Sequence, residues 1–455
     1  MSSADINQAL AAYRERLRLD PRDVDALNRL GNLLSSAGQL EAAQSAYESA
    51  VALRPDVPQI HFNLGNLLQR RGRHSAARDR FREAIALHPG YAEANNNLGN
   101  ALQDLGEIDA AVDAYRQAIA LREDFPEACN NLGLALRKGD RHAEAAEAFG
   151  RALEINPDYA PAMVNLGLAL RSLERPEQAL QAFDRAQRLT PGAANVWCFK
   201  GGALLEAGRA EEARDALERC LAIEPANRTA LAYRLVAMQE LDERPEPSLL
   251  RDLYRHVVEE DVPCPAGFDS VIAFNDALAR HARGHPTLSH DAAGRATRHG
   301  AHTGDLLSGD KGPVAELESF IVDGVRRYLV NLPMHPAHPY ARYPLREWRL
   351  VAWGVVMDSG GHQIPHIHAA GWLSGVYYVR LPRCVGESAV DHAGWIEFGR
   401  SPDSLHCRAE PLTRRICPSE GGMLLFPSYY YHRTIPFESE EPRISIAFDV
   451  LPGTA

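Results

Sequence analysis

Glycine recurs at 31, 65, 99, 133, 167 and 201, a step of 34 residues held through six units. Alanine keeps the same step at 43, 77, 111, 145, 179 and 213. Tyr47, Phe81, Tyr115, Phe149 and Phe183 follow it, with Leu217 closing the series. Proline marks positions 55, 89, 157, 191 and 225, and Glu123 takes the remaining place. So regular a period means that each unit is one supersecondary element whose apolar face is buried only by its neighbours, which gives a solenoid. Within a unit, glycine and alanine let two helices approach, the aromatic fills the gap, and proline ends the second helix. The spacing predicts six full units over about 24–227. Residues 4–21, with Ala9, Tyr13 and Pro21 in phase, read as the second helix of a partial leading unit. Residues 228–241 read as a capping helix, so that the helical region spans 1–241.

The rest of the chain is different in kind. At 455 residues the protein is too long for one core, and a multidomain organisation is expected. Asp-Glu-Arg-Pro-Glu-Pro (242–247) breaks the repeat phase and reads as a linker to a second domain over 248–455. Helical patterns cover about 248–260, 268–282 and 313–331. The Gly/His/Ser/Thr-rich stretch 283–311 reads as a long loop, with His299 and His302 as solvated loop residues. Strand signals then fill 347–357, 364–369, 372–381, 394–398, 422–427, 430–436 and 442–450. Short strands separated by turns imply a β-sandwich or barrel over about 346–451.

Charge and cysteine usage narrow the function classes. The net charge of −11 comes with no basic stripe, so nucleic acid is not an expected partner. Three of the 49 basic residues are lysine (Lys138, Lys200, Lys311), a bias that points to a GC-rich bacterial source. The seven scattered cysteines form no C-x-x-C pair and read as reduced thiols. With no signal-peptide pattern and no apolar run of 18 residues, a cytoplasmic protein without a membrane span is expected.

Histidine is distributed unevenly, with 14 of 18 after residue 245. His362, His366 and His368 fall within seven positions, just before an apolar run. On a strand, His366 and His368 would point the same way and could supply half of a metal site, with His432 as the distant partner. Pro365 separates His362 from the other two. In the last strand Arg443, Ser445, Ala447 and Asp449 share one face. If that face lines the lumen, Arg443 is a buried cation, which is costly unless it meets an anion such as a carboxylate. Trp353, Trp372, Trp395 and Tyr377 and Tyr429–Tyr431 read as core. In the repeats, Asn63, Asn97, Asn131 and Asn165 each precede the motif glycine by two positions. Asparagine is a poor helix former, but its carboxamide can donate to a peptide carbonyl and accept from a peptide N–H at once.

The 34-residue pattern resembles the tetratricopeptide repeat, which implies a superhelix with a peptide-binding groove. The four asparagines resemble the ladder in the superhelix of O-linked N-acetylglucosamine transferase; otherwise they are solvated consensus residues. "PHIHxxGWLSGVYYV", "GGMLLFPSYYYH" and "PRISIAFD" resemble an Fe(II)/2-oxoglutarate-dependent oxygenase family often joined to such repeats, over about residues 295–451. That resemblance implies a double-stranded β-helix (jelly-roll) with flanking helices. It also implies His366 and His432 as iron ligands, and Arg443, assisted by Ser445, as the anchor of 2-oxoglutarate. Tyr378 could donate to the same cosubstrate. The implied reaction uses molecular oxygen to hydroxylate a protein or peptide delivered by the repeats. One departure matters: the usual two-histidine, one-carboxylate triad has Asp or Glu where this chain has His368. His368 either ligates or sits just outside the ligand set, and Asp358, Glu387 or Asp391 could fold back instead. Two alternatives stay open: a repeat scaffold with a degenerate metal module, and a three-histidine dioxygenase that does not use 2-oxoglutarate.

Overall fold

The computed structural model describes residues 3–242, 252–290, 296–331, 338, 340, 345 and 347–453. The expected linker at 242–247 lies, apart from Asp242, outside them. The repeat region is a succession of antiparallel helix pairs. After α1 (Ser3–Leu19) come α2/α3 (Val24–Ser36, Leu40–Leu53), α4/α5 (Pro58–Arg70, His74–Leu87) and α6/α7 (Ala92–Asp104, Ile108–Leu121). The next pairs are α8/α9 (Pro126–Lys138, His142–Ile155), α10/α11 (Ala160–Ser172, Pro176–Leu189) and α12/α13 (Ala194–Glu206, Ala210–Ile223), followed by α14 (Arg228–Glu240).

The periodic residues form the contact inside each pair. A Cβ on Gly133 would lie 2.5 Å from the Phe149 ring, and one on Gly65 would lie 2.6 Å from Phe81. Only a residue without a side chain lets the aromatic of the second helix reach the backbone of the first. Phe81, Phe149 and Phe183 are fully buried there, each contributing about 1.5–3 kcal/mol of hydrophobic stabilisation.

The chain forms two compact units, residues 1–191 and 192–455. The last helix pair and α14 belong with the C-terminal residues. Glu240 accepts hydrogen bonds from the backbone N–H groups of Arg408 (2.7 Å) and Ala409 (2.9 Å). Gln239 donates to the Ala409 carbonyl at 3.2 Å.

The second unit is built on a curled antiparallel sheet. Its strands are β1 (Val258–Asp261), β2 (Ser289–His290), β3 (Thr297–His302), β4 (Trp348–His366), β5 (Leu373–Arg380), β6 (Ile396–Phe398), β7 (Arg414–Ile416), β8 (Gly422–Pro427), β9 (His432–Thr434) and β10 (Arg443–Pro452). The main path runs β1-β8-β5-β10-β4-β9-β6-β7, with β3 added on β4 and β2 on β3. Helices α15 (Leu253–His256), α16 (Val271–Arg283) and α17 (Val314–Asn331) flank it. The two strands expected at 347–357 and 364–369 are one strand, β4, which pairs with β10 and β3 and, on either side of Pro365, with β9. Pro365 falls in the irregular step between Gln363 and His366, where no ladder N–H is required. Two expectations are corrected. The helix at 248–260 is, over the described part, one short turn followed by β1, because Val-Glu-Glu-Asp pairs with β8. The long loop at 283–311 contains β2 and β3, because Thr297–His302 pairs with β4.

Candidate metal centre and anion pocket

The sheet encloses a cavity of about 330 Å³. The inward face of β10 supplies Arg443, Ser445, Ala447 and Asp449 to its wall, and β4 supplies Trp353 and Val355. His366, His368 and His432 meet at this cavity, and one ligand nitrogen of each lies within 4.8 Å of the others. Cross-strand pairing of His366 with His432 brings β4 and β9 together. His368 lies two residues past the end of β4, in the segment leading to β5, rather than on the strand itself.

Hydrogen bonds fix the tautomer of all three rings. His366 Nδ1 donates to the Ile364 carbonyl (2.9 Å) and His432 Nδ1 to the Tyr430 carbonyl (3.0 Å). His368 Nδ1 donates to Asp449 Oδ1 at 2.6 Å, and Ser374 Oγ donates to the same oxygen at 2.6 Å. In every ring, therefore, Nδ1 carries the proton and Nε2 offers its lone pair. Burial, reinforced by the neighbouring His368 imidazole, pushes His366 down to about 3. Burial, with the neighbouring imidazoles of His366 and His368, holds His432 well below the usual range. Both imidazoles are thus neutral near pH 7, the form that binds metal. Asp358 and Glu387 are exposed and, like Asp391, are not in the cluster; the carboxylate bonded to a candidate ligand is Asp449, behind His368.

Arg443 is 2% exposed; its Nη1 donates to Met357 Sδ at 4.0 Å, and its Nε has no hydrogen-bond partner among the described residues. Its guanidinium lies 5.2 Å from the centre of the Tyr378 ring. Tyr378 is just as buried, and its Oη is also without a partner. Burial lowers the Arg443 pKa against the influence of Tyr378, and burial pushes Tyr378 up to about 12. No salt bridge joins Arg443 to the 438–441 run among the described residues. Ser445 pairs across the sheet with Tyr378 and shares the cavity. A buried cation and a buried hydroxyl, each with one polar atom unsatisfied among the described residues, face one cavity, an arrangement whose chemistry suits an anion.

The structure differs from the sequence expectations at several residues. Trp353 lines the cavity, with its ring centre 5.6 Å from that of His368, whereas Trp372 is stacked in the interior on Tyr340. His302 is buried on β3 and lines the cavity, sharing a 2.5 Å hydrogen bond with Thr297 Oγ1. Gln363 reaches the same hydroxyl at 3.2 Å and accepts from Thr434 at 3.2 Å, extending a polar wall. The Thr-Arg-His-Gly-Ala-His sequence of β3 shows no alternation that could have separated His302 from a loop.

In the repeats the four asparagines are half-buried and linked from unit to unit. Asn63 donates to Asn28 (2.9 Å), Asn97 to Asn66 (2.7 Å), Asn131 to Asn96 (3.0 Å) and Asn165 to Asn130 (2.9 Å). Each amide thus spends one donor on its neighbour and retains a second.

The fold and site define a helical-repeat protein with a C-terminal sheet domain that carries a histidine-lined cavity. Residues 12–45, 29–92, 96–160 and 164–228 match family models described as "Tetratricopeptide repeat", so the chain carries tetratricopeptide repeats. Residues 351–449 match the family described as "Putative 2OG-Fe(II) oxygenase". Among solved structures, MamA is 30% identical; the match covers 34% of this chain and 92% of that one, with a TM-score of 0.33. YrrB, described as a TPR protein with an unusual peptide-binding site, is 26% identical over 40% of this chain and 93% of that one, with a TM-score of 0.35. Pseudomonas aeruginosa pilF is 22% identical over 42% and 88%, with a TM-score of 0.38. No curated protein matches the chain. No described helix is long and apolar enough to cross a membrane.

Proposed function

We propose that this protein is an Fe(II)- and 2-oxoglutarate-dependent oxygenase that hydroxylates a side chain of a polypeptide held by its repeats. The observation that carries the reading is the buried Arg443, whose Nε lacks a partner among the described residues and whose Nη1 contacts Met357 Sδ at 4.0 Å, in the same cavity as three histidines with free Nε2 lone pairs. His366, His368 and His432 would hold the metal. Arg443, with Tyr378 and Ser445, would hold the far carboxylate of the cosubstrate, since a guanidinium fork matches a carboxylate. Bound there, iron and 2-oxoglutarate supply activation of molecular oxygen, with decarboxylation to succinate, for insertion of one oxygen atom into a C–H bond.

The chain's own part is to bind, orient and exclude water. The three Nδ1 hydrogen bonds fix the ligand rings before any metal arrives. Trp353 and the apolar side chains of Val355 and Phe426 keep the cavity wall dry. In this scheme the repeats extend to residue 241 and the oxygenase domain begins at 248. The second N–H of Asn63, Asn97, Asn131 and Asn165 would grip an extended peptide by its backbone. Seven cysteines, none of them in a disulfide, fit a reducing cytoplasm.

The test is succinate release by the full chain with Fe(II), 2-oxoglutarate, oxygen and a peptide library, with mass spectrometry for a gain of one oxygen. The reading predicts activity in the wild type, its loss in His432→Ala and weaker peptide capture in Asn131→Ala. Persistent turnover in His432→Ala would overturn it. Activity that is independent of 2-oxoglutarate and indifferent to Arg443→Met would favour a three-histidine dioxygenase instead.

A further inference from the structure

Asp449 is not a ligand, yet it is held more closely than a solvated surface carboxylate would be. It is 8% exposed, at the inward-facing end of β10. Its Oδ1 accepts from both His368 Nδ1 and Ser374 Oγ, each at 2.6 Å. Space for it is made by Gly371, where a Cβ would stand 3.3 Å from the carboxylate. Three separate features, one from the histidine segment, one from β5 and one from the turn between them, converge on one oxygen. No arginine or lysine pairs with Asp449 among the described residues; its one ion-pair partner is the candidate ligand His368.

We infer that Asp449 is a positioning residue that supplies the metal centre's negative charge from one layer out, through His368, in place of a carboxylate two residues after His366. The inference rests on the metal reading of the three histidines. A carboxylate that accepts from the far nitrogen of a ligating imidazole fixes the ring's tautomer and orientation and makes its free nitrogen a stronger donor. The position two residues after His366 can then be histidine without leaving the centre short of negative charge.

The experiment measures Co(II) affinity of the full chain under anaerobic conditions, by the visible absorption of the bound metal and by chelator competition. Four proteins are compared: wild type, Asp449→Asn, His368→Asp and the double variant His368→Asp/Asp449→Asn. Asp449→Asn is expected to weaken Co(II) binding by about 10–100-fold, the range for lost outer partners of metal ligands. In the His368→Asp background the carboxylate is itself the ligand, so adding Asp449→Asn is expected to change affinity by less than about threefold, far short of that range. A penalty that persists unchanged in both backgrounds would show that Asp449 merely supports the fold, and would overturn the inference. So would unchanged affinity and spectrum in Asp449→Asn. If wild type itself binds no Co(II), the metal reading fails, and that result is distinct from the other two.

Discussion

Arg443→Met separates a cation poised for a ligand from one that stabilises the fold. Methionine is unbranched and adaptable, so it can occupy much of the arginine's space without its charge. In the wild type, Arg443 is 2% exposed with its Nε unpartnered. Burying such an ion costs several kcal/mol. The Tyr378 ring, 5.2 Å away, returns at most about 2 kcal/mol. Replacing buried charges with apolar side chains is often stabilising by about 1–4 kcal/mol, so the ligand-free variant should melt several degrees higher than wild type. The ligand response should move the other way. Two charge-assisted hydrogen bonds to a carboxylate contribute about 1.5–3 kcal/mol each. Losing them weakens 2-oxoglutarate binding by roughly two to four orders of magnitude. Anaerobic thermal unfolding with metal, with and without 2-oxoglutarate, reads both quantities. At 100 times its Kd the ligand should stabilise wild type by about 2.7 kcal/mol and the variant by almost nothing. A variant that melts lower than wild type yet keeps its 2-oxoglutarate shift would refute the reasoning, because Arg443 would then be structural.

Three further outcomes follow from other parts of the chain. Gly133→Ala puts a Cβ 2.5 Å from the Phe149 ring and should cost about 1–3 kcal/mol in urea unfolding; an unchanged midpoint would disprove the close-approach role of the repeat glycines. Glu397 is wholly buried between Arg400 (2.9 Å), Arg415 (2.8 Å) and Arg433 (2.6 Å), so Glu397→Gln should cost about 3–5 kcal/mol. Those arginines are 28–39% exposed, so the loss should shrink at 1 M salt, and a salt-independent loss would contradict the charge argument. His338 is fully buried, shares a 2.9 Å hydrogen bond with Tyr429 Oη, and is pushed down to about 3 by burial and then by His256. Its folded pKa is depressed, so its contribution is fully present above about pH 6.5 and is lost as pH falls toward 3. At pH 5 that loss is about 2 kcal/mol, and His338→Gln should flatten the acid limb by one proton's slope; identical slopes would sink the assignment.

How much of this was legible in the sequence depended on how local the determining interactions are. The repeat helices are set by contacts 16 residues apart, such as Gly133 with Phe149, and the 34-residue period displays them directly. In the β-domain the decisive partners are remote. Val258–Asp261 is rich in residues that disfavour strands and becomes one only because β8 pairs with it. Thr297–His302 reads as a polar loop until β4 lies beside it, and that pairing turns His302 into the cavity. Pro365 reads as a strand break, whereas the structure places it in an irregularity between two pairings of one long strand. The histidine cluster was visible as His-x-His plus a distant His, since residue type alone carries metal chemistry. Asp449 was visible as a face-mate of Arg443, but its role depends on the turn that brings His368 back against β10, which no local pattern encodes.

Charge balance ties the parts of the site together. The low pKa values of His366 and His432 make those rings neutral, so they contribute ligation and no charge. Under the proposed reading, the metal and Arg443 together bring three positive charges to a cavity of about 330 Å³, and Asp449 returns one negative charge. The remaining two positive charges lie at separate points, one at the histidines and one at Arg443. A dicarboxylate meets that requirement, because one end can reach the metal while the other pairs with the guanidinium. A 2-oxo acid with a single carboxylate would leave either the metal or the buried Arg443 uncompensated, at a cost of several kcal/mol. The relocation of the carboxylate from the ligand position to Asp449 therefore leaves the cavity's demand for a dianion unchanged. Selectivity for the cosubstrate then rests on Arg443 and Tyr378, and the metal ligands only have to supply an open coordination position.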